Sequence, residues 1–286
     1  MKFKTLLGTG IVGGIGGAGV YGFHSLQPKN LQEYLEWQGF KLVSNSDENT
    51  WKAIKKENAP LLKEIFGKDD PETQEIQKWC KDLLPLTDYQ EYVSRVSKVC
   101  VDSVWTVEGK IIQEKGSTNG LIQKGKDEDF KVAYVFRRHI SDFLDLINFH
   151  PPQSEEGQPA EEKLDEAKKS FEDWCIGSLA KEANDSLVSN IQTFCSPKGF
   201  STIKELIEKN GEKLLTDSQY TGDLEKKYQE IKDLKTWKDE NEQSHSSNED
   251  LKSWCNKNQD KKFSEEGVFA EIYPKFRFRC VKVLST

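Results

Sequence analysis

The sequence is poor in the residues that most catalytic and metal sites require. It contains four histidines and one methionine, and it has no Cys-x-x-Cys pair. Because zinc needs four closely converging ligands, this scarcity argues against a zinc site. The Walker A, Gly-x-Ser-x-Gly and His-Glu-x-x-His motifs are absent as well. We therefore expect no cofactor, metal or catalytic residue and interpret the chain as non-enzymatic; an enzyme of unknown class, nucleotide-dependent or hydrolytic, is the alternative.

The sequence also lacks an excess of positive charge. It has 41 Lys and Arg against 48 Asp and Glu, which gives a net charge of −7. A negative surface repels phosphate backbones, so general nucleic-acid binding is excluded from the expected functions. Charged residues make up 31% of the chain, which predicts a well-hydrated surface. The sequence does not specify an oligomeric state.

The chain does contain a repeated dipeptide. Tryptophan followed by cysteine occurs three times, and each time one further cysteine follows 20, 20 or 25 residues later. The residues are Trp79, Cys80 and Cys100; Trp174, Cys175 and Cys195; and Trp254, Cys255 and Cys280. Regular spacing of two rare residue types is typical of a repeated module. Neighbouring apolar residues recur at helical spacing, which predicts that each Trp-Cys pair faces a core.

Several interpretations fit the six cysteines. One disulfide per module, from each Trp-Cys cysteine to the next, would stabilise a module by roughly 3 kcal/mol. Small modules gain most from such cross-links, so we prefer this interpretation. Reduced thiols packed in the core and pairing between modules are the alternatives. In a level helical hairpin Cys80 and Cys100 would be offset by roughly 12 Å, which counts against a bridge.

A longer repeat supports the division into modules. Residues 30–43 align with residues 202–215, and a fainter third copy places Gly116 on Gly211. The identical pairs are Glu33/Glu205, Glu36/Glu208, Gly39/Gly211, Lys41/Lys213 and Leu42/Leu214. We predict a mainly α fold in which an N-terminal membrane-spanning helix is followed by three similar small helical modules in tandem. Their predicted bounds are residues 27–104, 105–199 and 200–286.

Residues 1–26 predict a membrane segment. Lys2 and Lys4 precede residues 5–23, an uncharged stretch that as a helix would be roughly 28 Å long, enough to cross the hydrocarbon core of a bilayer. The lysines belong on the cytoplasmic side, so the rest of the chain is expected outside the cell membrane, with one pass through it. A cleaved signal peptide, which would make the protein secreted, also fits this stretch. Glycines let membrane helices pack closely, so a structural membrane protein that assembles through this anchor is a further alternative.

The remainder of the chain predicts helices joined by polar loops. Residues 150–159 and 238–248 carry loop composition. Residues 132–136 fit either a short strand or part of a buried helix. In the tail, phenylalanines alternate with basic residues from Lys275 to Cys280, and Pro274 interrupts the expected helix, so we predict an extended end that either contacts an anionic surface or forms a solvated edge.

The Lys-bearing start, the glycine-rich segment ending near Tyr21, the Trp51-Lys52 pair and the Trp-Cys helices together resemble the large families of uncharacterised paralogous proteins of haemotropic mycoplasmas. The resemblance covers most of the chain, but its motifs carry no known chemistry and no binding residue transfers from it. It implies a membrane-anchored surface protein of a wall-less parasite of red cells. The role that it implies is host interaction or antigenic variation, with the host cell surface or host proteins as partners.

Overall fold

A computed structural model describes residues 28–152, 162–241 and 247–282. These residues form helices and turns, and extended pairing among them is limited to four isolated β-bridges, which confirms the mainly α prediction. The chain divides into two compact units, unit 1 up to Val104 and unit 2 from Trp105. The predicted membrane helix, residues 5–23, lies outside the described residues. Within the described ranges no helix has both the length and the apolar character needed to cross a membrane.

Among its described residues, unit 1 has five short helices. They are α1 (Leu31–Trp37), α2 (Glu48–Glu57), α3 (Ala59–Phe66), α4 (Thr73–Leu83) and α5 (Val93–Val99). Helix α1 begins at Asn30, whose side chain accepts a hydrogen bond from the Glu33 amide, and it buries Leu31 and Leu35. The chain turns after α1 at Gly39, whose φ of 85° is readily adopted only by glycine. The cap and the glycine therefore fix both ends of this helix.

The chain breaks its helix at Asn58 in unit 1. Helix α2 ends and α3 begins there. Pro60 follows in the first turn of α3. Proline has no amide hydrogen to continue the α2 hydrogen-bond ladder, so the break falls just before it. Both helices bury one face, with Trp51 and Ile54 from α2 and Leu62 from α3.

Among its described residues unit 2 has ten α-helices, together with a 3-10 helix (Ser218–Tyr220) and a π-helix (Val268–Ile272). The α-helices are α6 (Val107–Lys115), α7 (Asp127–Val135), α8 (Phe143–Leu146), α9 (Leu164–Leu179), α10 (Asp185–Phe194), α11 (Ile203–Lys209), α12 (Thr221–Ile231), α13 (Lys235–Lys238), α14 (Asn248–Asn258) and α15 (Tyr273–Cys280). One hydrophobic cluster runs from Val107 to Val281, so the second and third predicted modules contribute to the same core.

An aromatic cluster lies where these two segments meet. The ring of Phe136 packs edge-on against Phe200, Phe263 and Phe269, with centroids 5.1, 4.9 and 4.7 Å apart. Such edge-to-face pairs stabilise beyond the area that they bury. Phe136 precedes the predicted boundary at residues 199 and 200, whereas the other three rings follow it. The aromatic contacts therefore join the two segments into one unit.

Polar side chains reinforce the same junction. The Glu162 carboxylate accepts a hydrogen bond from the Gly267 amide, and the Glu266 carboxylate accepts one from the Leu164 amide. Glu162 is buried and pairs with Arg138 at 2.7 Å. A buried carboxylate is stable only when it is paired and hydrogen-bonded, and both conditions are met here.

Two local predictions are settled by the described residues. Residues 132–136 belong to α7 and its C-cap, so the helical interpretation is correct. The extended tail is wrong, because Tyr273–Cys280 is helical with Pro274 in its first turn, where a missing amide hydrogen costs nothing. The alternation of aromatic and basic residues was misleading, since burial follows helical spacing instead, at Phe276, Arg279 and Cys280.

Candidate functional site

The six cysteines form the three predicted disulfides. Cys80 bonds to Cys100, Cys175 to Cys195 and Cys255 to Cys280, with Cα atoms 5.6, 5.9 and 5.8 Å apart. These distances lie in the usual range for disulfides. Every cysteine of the chain is used, and all six are buried. In each bridge the first cysteine belongs to the helix that carries the Trp-Cys pair. The second cysteine lies at the C-terminal end of the α-helix that follows.

The expected offset between the paired cysteines does not arise. In unit 1 the chain leaves α4 at Leu83 and enters α5 only at Val93, so the connection is longer than the short turn assumed from the sequence. Cys100 is the C-cap of a helix of only seven residues. The longer connection and the shorter helix remove the level hairpin on which the objection depended.

The three repeated tryptophans lie beside the disulfides and are each half-buried. Trp79 packs edge-on against Phe66, with centroids 6.3 Å apart. Trp174 lies 6.4 Å from Phe194, and Trp254 lies 6.3 Å from Phe276. Each repeated tryptophan therefore packs partly against a phenylalanine of its own segment.

A backbone hydrogen bond recurs at each disulfide. The carbonyl of the second cysteine accepts it, and the donor is an amide shortly after the glycine turn that follows the first helix of each segment. The pairs are Val43 to Cys100 at 3.2 Å, Ile122 to Cys195 at 2.7 Å, and Leu215 to Cys280 at 2.8 Å. The adjacent bridges Leu42–Val101 and Leu214–Val281 also match each other. The glycines of these turns, Gly39, Gly116 and Gly211, have φ values of 85°, 83° and 72°.

The basic residues of the tail are paired with carboxylates. Arg277 pairs with Glu212, Lys275 with Glu240, and Lys282 with Asp223. The fourth, Arg279, is 2% exposed and bonds to Glu240 and to the Thr236 carbonyl. Its guanidinium also lies over the rings of Trp237 and Trp254, 5.2 and 4.6 Å from their centroids. These contacts neutralise the tail within unit 2, which removes the basis for predicting a contact with an anionic surface.

A polar cleft of about 740 Å³ lies beside α15, the helix formed by the tail. Its lining includes Trp254, Asn258, four carboxylates and three lysines. Burial raises the pKa of Glu240, but hydrogen bonds from Lys275 and Arg279 outweigh burial and hold its pKa below the ordinary value. A carboxyl group with a lowered pKa is ionised near neutral pH and is poorly suited to donate a proton. Among the described residues no His, Cys, Asp and Glu side chains are grouped as a metal site would require.

A second buried cation has a structural contact of its own. Arg137 is 4% exposed, and its Nη2 donates to the carbonyls of Thr193 and Ser196 at 3.1 and 2.8 Å, at the C-terminal end of α10. Burial lowers the pKa of Arg137 to about 10, so the side chain remains charged near neutral pH. A cation at a helix C-terminus is stabilised by the free carbonyls and the helix dipole. Arg137 therefore caps α10.

Unit 1 exposes aromatic residues that sequence reasoning did not single out. Trp37 is 68% exposed and Phe40 is 40% exposed. The ring of Tyr34 lies 6.4 Å from Trp37 and 5.3 Å from Tyr89. We call Tyr34, Trp37 and Phe40 the aromatic face; Tyr89, which contacts Tyr34, is buried. The repeat alignment could have revealed it, because the positions of Trp37 and Phe40 are occupied by Lys209 and Glu212 in the later copy.

Comparison with known proteins does not place the chain in a family. No family model matches the chain, and neither the curated proteins nor the solved structures provide a match.

Proposed function

We propose that this chain is a non-enzymatic, membrane-anchored cell-surface protein whose outer part makes contact with the host or varies as an antigen. The observation that carries the proposal is the pairing of all six cysteines in disulfides. Disulfides persist in oxidising surroundings and are rare in the cytosol. If residues 5–23 span a membrane, the lysines before them independently favour an orientation with the rest of the chain outside. The disulfides and the position of the lysines thus both favour a location outside the cell.

The outer part consists, in this proposal, of three copies of one module. Support comes from the recurring disulfide, the recurring hydrogen bond to its second cysteine and the positive-φ glycine in each copy. A disulfide-closed frame tolerates surface substitution because its stability depends on the bridge and a few buried residues. This property suits a surface that must vary, as the resemblance to mycoplasma surface families implies.

Protease treatment of intact cells tests the proposed topology. Cells that make the full chain are exposed to protease, and the chain is detected through an epitope at each end. We expect loss of the C-terminal epitope and retention of a short membrane-bound N-terminal fragment, while a cytoplasmic marker stays intact. Protection of the whole chain in intact cells, with digestion after lysis, would overturn the proposed orientation. If the ectodomain is found at full length in the medium, the protein is secreted and not anchored.

Binding to red cells tests the proposed role. Full-length protein in fluorescent phosphatidylcholine vesicles is mixed with washed red cells, and the cell-associated fluorescence is compared with that of protein-free vesicles. We expect binding that depends on the protein and disappears when the disulfides are reduced, because reduction removes the frame that presents the surface. Equal association of the two kinds of vesicle would contradict a contact with the red-cell surface.

A further inference from the structure

The aromatic face of unit 1 lies where the chain arrives from its N-terminal segment. Pro28 is the first described residue, and its carbonyl accepts a hydrogen bond from the Tyr89 hydroxyl at 3.2 Å. Tyr89 packs against Tyr34, and Tyr34 lies beside Trp37. A continuous series of aromatic contacts therefore leads from Pro28 to the most exposed tryptophan that the structure describes.

The distance to the uncharged segment is short. Residues 5–23 end five positions before Pro28. Five residues span at most roughly 18 Å even when fully extended. If residues 5–23 cross a bilayer, Pro28 lies within that distance of the membrane surface, and Tyr89 links Pro28 to Tyr34 of the aromatic face.

The internal repeat indicates which way this face is directed. The position of Trp37 corresponds to Lys209 in α11, whose ammonium donates to the Lys198 carbonyl and lies 5.3 Å from the Phe200 ring. Residues 198–200 directly precede their copy of the module. In unit 2 this helix position therefore faces the chain that enters the module. In unit 1 the chain that enters the module comes from residues 5–23.

Resting on the membrane anchor proposed above, we infer that the aromatic face of unit 1 is a membrane-contacting surface and that Trp37 and Phe40 insert into the headgroup region of the outer leaflet. Tryptophan and tyrosine favour this region because their rings are apolar while their N–H and O–H groups stay hydrated. The contact also explains the high exposure of Trp37 in the isolated chain. It would hold unit 1 against the membrane.

Fluorescence quenching by brominated lipids tests the inference. The full chain is reconstituted into vesicles of phosphatidylcholine or of its dibrominated form, and the loss of tryptophan emission is compared. The seven tryptophans all lie outside residues 5–23, so the membrane segment itself contributes no signal. We expect bromolipid quenching in the native chain and near-complete loss of that quenching in Trp37→Phe. The matched control is Trp105→Phe, because Trp105 is 57% exposed but belongs to unit 2.

The outcomes separate this inference from the proposed function. Failure of the chain to float with vesicles or to resist alkaline extraction would overturn the anchor. A chain that is anchored but whose emission is equally strong in both lipids would overturn the membrane contact alone. Quenching that survives in Trp37→Phe and disappears in Trp105→Phe would also overturn it. Shielding of Trp37 from a water-soluble quencher without bromolipid quenching would mean that protein, either a second copy or residues 24–27, covers the face.

Discussion

The two units use the same backbone frame but bury different kinds of side chain. Unit 1 buries one polar side chain among its described residues, Thr50. Unit 2 buries five, of which three are charged: Arg137, Glu162, Ser178, Asn258 and Arg279. A buried charge needs partners from several directions, and a unit in which two modules share one core can supply them.

Equivalent positions in the two aligned segments have different burial and different contacts. Leu206 in unit 2 is 7% exposed, whereas Tyr34 at the equivalent position lies on the aromatic face. Glu212 pairs with Arg277, whereas Phe40 at its equivalent position is exposed. The N-caps Asn30 and Thr202, the turn glycines and the disulfides recur in both segments, so they are compatible with either set of side chains.

Removal of equivalent disulfides should show the largest difference between the units. The bridges Cys80–Cys100 and Cys175–Cys195 close loops with the same sequence separation, 20 residues. Loss of either bridge should therefore remove a similar stabilisation, roughly 3 kcal/mol. Because a small unit has a smaller entropy of unfolding, alanine at both cysteines should lower Tm by about 12–24 °C in unit 1 and by about 6–12 °C in unit 2. Calorimetry of the two double variants measures both shifts.

Hydrogen exchange then shows how far each loss spreads. Without Cys80–Cys100 we expect faster exchange throughout unit 1 and unchanged protection in unit 2. Without Cys175–Cys195 we expect faster exchange on both sides of residue 200, because one hydrophobic cluster joins the two segments. Loss of protection confined to residues 105–199 would show that the second and third modules open independently despite their shared core.

A buried cation gives the next largest expected effect. Arg279→Ala removes the ion pair with Glu240 and the contacts with Trp237 and Trp254. Breaking a fully buried pair costs about 3–5 kcal/mol, but the Glu240 side chain is 29% exposed and still pairs with Lys275, so we expect a loss of about 2 kcal/mol. The control in unit 1 is Arg95→Ala, since the Arg95–Glu64 pair is exposed and should contribute at most about 1 kcal/mol. Denaturant unfolding of both variants tests the comparison, and equal losses would contradict it.

The sequence predicts the disulfides and most helices better than it predicts the contacts between distant side chains. The pairing of each Trp-Cys cysteine with the next cysteine is confirmed, because the spacing already isolates the pairs. Helical periodicity and caps locate most helices. The contacts of Phe136 with Phe263 and Phe269 join residues more than a hundred positions apart, and no local pattern records them. The tail misled prediction because alternation over six residues fits a strand, whereas burial by neighbours from α12 and α14 favours a helix.

The smallest expected effect concerns the cap that begins the first helix of each repeat. In unit 2 the Glu205 carboxylate accepts hydrogen bonds from the amides of Ser201 and Thr202 and from the Ser201 hydroxyl, which hold its pKa below the ordinary value of 4.5. In unit 1 the equivalent Glu33 carboxylate accepts from the Lys29 amide and the Asn30 side chain. Glu205→Gln should therefore destabilise unit 2 by about 1 kcal/mol at neutral pH, and Glu33→Gln should destabilise unit 1 by less.

The pH dependence tests whether these hydrogen bonds to the ionised carboxylate are the cause. Because the folded state lowers the pKa of Glu205, its contribution is complete above pH 4.5 and is lost as the pH falls through the lower folded pKa. Denaturant unfolding of the native chain and of Glu205→Gln should thus differ at pH 7 and converge in acid. A difference that persists at pH 3 would assign the loss to the amide NH2 group of glutamine, which replaces an acceptor oxygen by a donor, and not to loss of the carboxylate charge.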